Sequence, residues 1–167
     1  MPIYNAPLAD MKFILNDVFQ AEQFWQSNEN LAHVDAATAE AILEEMAKFA
    51  QNVTHPLNRT GDEEGAKIEN GQVTTPAGFK DAFRQYAEGG WIGLAADEEW
   101  GGQGMPKMLT VLADEMLFAT NPSFMLYPLL SVGAGMALNS YASQEQKETY
   151  LPKIYSGEWS GTMCLTE

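Results

Sequence analysis

Cysteine is almost missing from this chain of 167 residues: Cys164 stands alone, which excludes an internal disulfide and suits a reducing, cytoplasmic compartment. Basic side chains are scarce as well, nine Lys and Arg against 23 Asp and Glu, for a formal charge of −14. Nucleic acid and anionic membranes both demand clustered Lys and Arg, so neither is expected as a partner. The two histidines, His33 and His55, have no cysteine partners and no H-x-x-x-H spacing, so no metal is expected. Long hydrophobic runs are also lacking. The most apolar stretch, 124–138, covers about fifteen residues broken by Pro128, Ser131 and two glycines, short of the roughly twenty that span a bilayer, so stable membrane insertion is not expected. No basic cluster followed by an apolar core opens the chain, which argues against a secretory signal. There is no G-x-S-x-G elbow, no G-x-G-x-x-G fingerprint, no Walker lysine pair and no internal repeat.

What remains is an apolar fraction of 46% carried largely at helical spacing, enough for one ordinary core. Leu8, Met11, Phe13, Leu15, Val18 and Phe19 suggest a short N-terminal docking helix. Asp35 reads as the N-cap of an amphipathic helix carrying Ile42, Leu43, Met46, Phe49, Ala50 and Val53, with Pro56 marking its end. Residues 57–75 turn polar, and Asn70-Gly71 between short extended runs predicts a surface hairpin. A helix from about Pro76 to Glu88 follows, closed by Gly89-Gly90. Residues 107–120 form another, with Met108, Leu109, Leu112, Met116 and Leu117 inward and Asn121-Pro122 as its break. Residues 124–141 are apolar nearly all round, which predicts a central helix enclosed by the others. Ser143 and Gln146 make a capping box for the last helix. Thr162, Met163, Leu165 and Thr166 close the chain as a strand. The class is all-α, a bundle of five or six helices with a terminal strand lacking its sheet.

Few of these residues announce chemistry by themselves. Gly101-Gly102-Gln103-Gly104 precedes a helix, yet Pro106 removes a donor that a phosphate cradle would use, so a structural turn is the better reading. Asp97, Glu98 and Glu99 are adjacent, and neighbouring residues do not face one site as an acid and base pair must. Cys164 reads as a small apolar core residue rather than a nucleophile.

The stretch from Gln146 to Glu167, with Gln146-Lys147, Tyr150-Leu151-Pro152, Gly157-Glu158-Trp159, Gly161 and Leu165-Thr166-Glu167, closely resembles the segment by which flavin-dependent acyl-CoA dehydrogenases enter their middle domain. Only Ile154 departs from that pattern, and conservatively. Upstream, Gly90-Trp91-Ile92-Gly93-Leu94 and Gly101-Gly102-Gln103-Gly104 resemble the same family's G-W-x-G-L-x-x-P-E-x-G-G-x-G loop, with Glu98 where proline is usual and Trp100 where tyrosine is frequent. Tyr4-Asn5-Ala6-Pro7-Leu8 and Thr75-Pro76-Ala77-Gly78-Phe79 are similar to the long branch with an N-terminal extension, which includes 3-(methylthio)propanoyl-CoA dehydrogenases.

The resemblance implies the N-terminal helical bundle domain of the acyl-CoA dehydrogenase fold, ending in the first strand of a missing middle β domain. It divides the chain into an extension at 1–34, the α domain at 35–160 and that strand at 161–167. It implies FAD as cofactor, with Met163, Leu165 and Thr166 at the flavin and the Thr166 hydroxyl bonding its polar edge. Met125, Leu129 and Gly133 are implied to line the acyl pocket, where a methionine adapts to different chain ends. The catalytic base is implied to lie in an absent C-terminal domain, so no residue here is catalytic. An acidic chain with few cations is a poor grip for CoA phosphates, which are left to the same absent part. The partners implied are an acyl-CoA substrate, an electron-transfer acceptor protein and further copies of the chain. An acyl-CoA oxidase of the same fold and a non-catalytic helical module that binds an acyl chain or partner helix are the competing readings.

Overall fold

Local signals account for most of the elements. A computed structural model describes residues 3–162 and 164, and most of them are helical. Among them no helix is long and apolar enough to cross a membrane. The elements are α1 (Leu8–Phe13), α2 (Ala21–Gln26), α3 (Ala36–Phe49), α4 (His55–Glu64), β1 (Lys67–Glu69), β2 (Gln72–Thr74), α5 (Phe79–Glu88), α6 (Lys107–Thr120), α7 (Pro122–Tyr141) and α8 (Gln144–Tyr155). The contacts divide them into two compact units instead of the single core the length suggests.

The first unit holds the chain up to Ala77 together with Met105–Pro122. Asp35 caps α3 by accepting from the Thr38 amide at 2.7 Å, and α3 packs on α6. Leu43, Leu109, Met116 and Leu117 are wholly buried there, in keeping with the three- and four-residue spacing on both helices. α1 is tied to α3 by Lys12, whose ammonium lies 2.9 Å from Glu40 and 2.8 Å from Glu44. The hairpin forms as expected, β1 pairing antiparallel with β2, and Asn70 (φ 52°) and Gly71 (φ 77°) supply the positive dihedrals of the turn.

Two expectations are corrected in this unit. The N-terminal helix stops at Phe13, passes through one π-helical turn (Ile14–Val18) and a left-handed Gln20 (φ 47°), and resumes as α2, a helix the sequence reading did not contain. Pro56 does not end a helix. The chain continues from α3 through a second π turn (Ala50–Thr54) into α4, where Pro56 occupies the first turn and needs no amide donor. The first part of the polar stretch is thus a solvated helix, laced by an Arg59–Glu63 pair at 2.7 Å. The second π turn is held by a buried polar cluster. The Thr54 and Thr120 hydroxyls lie 2.7 Å apart, each also within reach of a carbonyl one turn back, Ala50 at 3.2 Å and Met116 at 2.9 Å, and Asn121 Nδ2 donates to the Thr54 carbonyl at 3.2 Å.

Asp114 on α6 is the most perturbed carboxyl in this unit. Burial pushes it up to about 6, with Lys107 pulling the other way. Its raised folded pKa means that the native state holds a proton the unfolded chain has already lost, so stability falls as pH rises from about 4 to about 6 and is flat above. Asp114→Asn removes that dependence. The difference in stability between Asp114→Asn and the parent should be near zero at pH 4 and reach about 1–2 kcal/mol in favour of asparagine above pH 6.5, the shift being discounted for partial exposure. Chemical denaturation of both proteins across that range checks it, and a difference independent of pH would disprove the assignment.

The second unit holds Gly78–Gly104 and the chain from Ser123 onward. Phe79 and Tyr86 on α5 meet Phe124 of α7 at 6.4 and 5.8 Å between ring centres, and Phe83 meets Tyr127 edge-on at 4.8 Å. The loop after α5 folds through two short 3-10 turns, Trp91–Gly93 and Glu98–Trp100, both packed on α8. Trp100, Leu151, Ile154 and Tyr155 form the buried cluster between them, with Ala96 and Leu138 at its margin. Ser143 and Gln146 complete the capping box in both directions, at 3.3 and 3.0 Å.

Candidate functional site

α7 and the chain that follows α8 carry the residues of interest, and α7 is not enclosed as expected. Phe124, Met125, Pro128, Ser131 and Gly135 are buried, while Leu126, Tyr127, Met136 and Tyr141 are exposed by 57, 50, 56 and 91%. An apolar pattern all round shows that a helix tolerates cover on every side, and only one side of α7 is provided with it by the described residues.

Met125, Leu129 and Gly133 recur every four residues and therefore form one stripe along α7. Their surroundings grade along it. Met125 is buried (1% exposed), Leu129 is partly buried, and Gly133 is open, with nothing within 4 Å of where a Cβ would stand. Met163, Leu165 and Thr166 lie outside the described residues. Where the terminal strand is expected, Gly161, Thr162 and Cys164 make no ladder, and Cys164 is exposed instead of buried in a core. No sheet is there for this segment to join among the described residues, and one step earlier the Gly161 amide donates to the Ser131 hydroxyl on α7 at 3.0 Å.

That contact belongs to a close docking of the chain onto α7 that sequence reasoning missed. Tyr127 and Ser160 join through their hydroxyls. A Cβ at Gly161 would stand 2.5 Å from the Ala134 methyl, 3.0 Å from Ser131 Cα and 3.2 Å from the Leu130 carbonyl oxygen, so the backbone lies directly on the helix surface. Tyr155 is seated similarly on Gly135, where an added Cβ would come within 2.6 Å of its ring. Burial and the nearby Asp97 carboxylate push the Tyr155 hydroxyl above its ordinary range. The available signal was small: a serine midway along an apolar helix, and small residues at 131, 134 and 135.

The glycine-rich loop is consumed by its own hydrogen bonds. The amides of Gly102, Gln103 and Gly104 donate to the carbonyls of Asp97, Gly93 and Ala96 at 3.0, 2.9 and 2.9 Å, and Gln103 Nε2 donates to the Gly90 carbonyl at 2.9 Å. Those amides are therefore not available to cradle a phosphate. Asp97 accepts from Asn139 Nδ2 at 2.7 Å, which ties the loop to α7. Beyond α8, Trp159 is held under Lys153, whose ammonium lies 4.2 Å from the ring centre, and beside Tyr150 at 5.8 Å.

Comparison with known proteins gives this arrangement a context. The profile of the acyl-CoA dehydrogenase N-terminal domain matches residues 36–158. The chain is 40% identical, over 98% of its length, to 3-methylmercaptopropionyl-CoA dehydrogenase of Ruegeria pomeroyi, of which it spans 28%. It is 31% identical over 98% of its length to a butyryl-CoA dehydrogenase of Syntrophomonas wolfei and spans 27% of that protein. The solved butyryl-CoA dehydrogenase of Megasphaera elsdenii superimposes with a TM-score of 0.63 at 18% identity, over 77% of this chain and 32% of that one, a likeness of fold. The chain thus spans less than a third of each of these relatives. By the profile match and the sequence identities together, it belongs to the acyl-CoA dehydrogenase family, through that family's N-terminal helical domain.

Proposed function

We propose that the full-length protein is an FAD-dependent acyl-CoA dehydrogenase of the extended branch, oxidising an acyl-CoA thioester to the trans-2-enoyl-CoA, and that these 167 residues alone are inactive. The observation that carries this reading is the 40% identity to the Ruegeria pomeroyi enzyme over nearly the whole chain. In it, residues 1–34 are the extension, 35–160 the helical domain, and 161–167 the entry to a β domain. A thioether-bearing acyl chain is the substrate favoured by that relative's name and by Met125, whose polarizable sulfur suits such a tail. Met125, Leu129 and Gly133 line the acyl slot, Met125 at the closed end and Gly133 toward the open one.

The donor set at the chain's end fits a flavin in kind: a threonine hydroxyl and backbone amides to meet a polar ring edge, preceded by apolar Met163 and Leu165. FAD, when bound, supplies the acceptor for the hydride from the acyl β-carbon. Thr166 and the amides beside it hold its polar edge and stabilise the negative charge gathered there. The α-proton passes to a carboxylate outside this chain, and no glutamate here is assigned to it. An electron-transfer acceptor protein reoxidises the enzyme, which works in a cytoplasmic setting as a homo-oligomer. The exposed apolar face of α7 supports cover by another part of the protein or a second copy.

The test is the full-length gene product mixed anaerobically with acyl-CoA. Bleaching of the flavin supports the proposal, and absence of bleaching with every acyl-CoA tried overturns it. Rapid oxygen consumption in air would favour the oxidase. The isolated chain should bind FAD weakly or not at all, since one segment supplies few donors and no opposite wall. Fluorescence titration giving a sub-micromolar Kd would contradict this, and would leave the non-catalytic module behind as well.

A further inference from the structure

The docking of residues 160–161 on α7 is separate from the contacts that α7 makes with α5 through Phe124 and Tyr127, with α8 at Gly135, and with the loop through Asn139 and Asp97. Ser131 is 1% exposed, and its hydroxyl is the acceptor for the Gly161 amide at 3.0 Å. Gly161 has no room for a side chain, because Ala134, Ser131 and Leu130 already occupy the space. Tyr127, one helical turn before Ser131, holds Ser160 by its hydroxyl while its ring is fixed edge-on by Phe83. Three contacts therefore pin the main chain to α7 at one place. That place, at Tyr127, Ser131 and Ala134, is on the side of α7 roughly opposite the stripe of Leu129 and Gly133, since neighbours two apart on a helix point about half a turn from one another, and it stands five residues ahead of Thr166.

We infer that Ser131 and Gly161 are positioning residues: they lock the backbone leading to Thr166 onto the helix that lines the acyl slot, so that flavin-facing and acyl-facing groups keep a fixed spacing. This rests on the proposed function. A helix that carries the acyl chain and a segment that carries the hydride acceptor must be registered to within a fraction of an ångström for the transfer to proceed. Misplacement by about 1 Å costs on the order of 10²-fold in rate. A serine buried in an otherwise apolar helix face is a costly choice unless its hydroxyl is used, and here its partner is the Gly161 amide.

The test uses the full-length holoenzyme, with hydrogen exchange beside kinetics. Ser131→Ala should speed exchange of the Gly161 amide by about tenfold, through loss of one hydrogen bond. It should lower kcat by about 10- to 100-fold with KM changed far less, because the acyl slot keeps its lining. Gly161→Ala should do the same by pushing the chain off the helix, and Ala134→Gly in that background should recover part of the loss by removing the nearest clashing atom. A wild type that bleaches with acyl-CoA, beside variants whose kcat stays within about twofold, would overturn the inference alone. So would losses of kcat that simply follow a fall in Tm, with the Gly161 amide still protected. A wild type that never bleaches would overturn the proposed function and take this inference with it.

Discussion

Replacing Gly102 by alanine is expected to destabilise the chain by about 3 kcal/mol, in the upper range for forcing an extra methyl into a packed site. The added Cβ would stand 2.1 Å from the Ala96 carbonyl oxygen, 2.3 Å from its carbonyl carbon and 2.7 Å from its methyl. Two of those atoms are backbone and cannot swing aside as a side-chain tip would. Ala96 is itself fixed, because its carbonyl accepts from the Gly104 amide at 2.9 Å. Relief therefore requires the loop to open, and opening it uncovers Trp100 and with it the cluster of Leu151, Ile154 and Tyr155. The neighbouring Gly101 provides the control. It has a positive φ of 84° but nothing within 4 Å of its would-be Cβ, so Gly101→Ala meets only the conformational penalty of about 1 kcal/mol. Urea denaturation of both variants separates the two causes. A Gly102→Ala loss no larger than that of Gly101→Ala would show that Ala96 can move and that the loop is not a rigid support. Since a domain's whole stability is about 5–15 kcal/mol, the larger loss would be visible as a reduced folded fraction in the cell.

Local chemistry was legible in the sequence and long-range chemistry was not. Asp35, the Ser143–Gln146 box and Asn70-Gly71 each act on backbone groups within four residues, so the spacing alone contains the structure. The family motifs were legible for a related reason: Gly90, Gly101 and Gly104 take φ values of 73°, 84° and 63°, positions at which any other residue is strained. The π turn at Ala50–Thr54 was not legible, because its support comes from Thr120 and Asn121, more than sixty positions away in the chain. Pro56 misled for want of that support, since a proline after an amphipathic run signals a stop unless the chain is held helical by something distant. The partial exposure of α7 was hidden by its own composition, for hydropathy records what a helix tolerates on each face and not which neighbours are there. Of the candidate site, Met125, Leu129 and Gly133 came from the family resemblance, since helical spacing alone makes them ordinary core residues. The Ser131–Gly161 contact needed the fold, because it joins positions thirty residues apart.

Thr166→Val in the full-length protein is expected to slow reduction of the flavin by acyl-CoA by about 10²-fold, the usual consequence of removing one preorganised donor that serves the transition state. The substitution exchanges a hydroxyl for a methyl of nearly equal size on a β-branched side chain, so strand propensity and shape are kept and Tm should move little. The sign of the effect on the flavin follows from charge. A ring that has accepted a hydride gathers negative charge at its polar edge, a hydrogen-bond donor there stabilises the reduced form more than the oxidised form, and losing the donor lowers the midpoint potential. KM should change less than kcat, because the hydroxyl is assigned to the flavin and not to the acyl chain. Three measurements together decide the matter: stopped-flow bleaching, the midpoint potential of the bound flavin, and Tm. A slowed reaction at unchanged potential would move Thr166 from the flavin to the substrate. Unchanged bleaching would leave the hydroxyl a purely structural group, and the flavin edge would then depend on backbone amides of this segment alone.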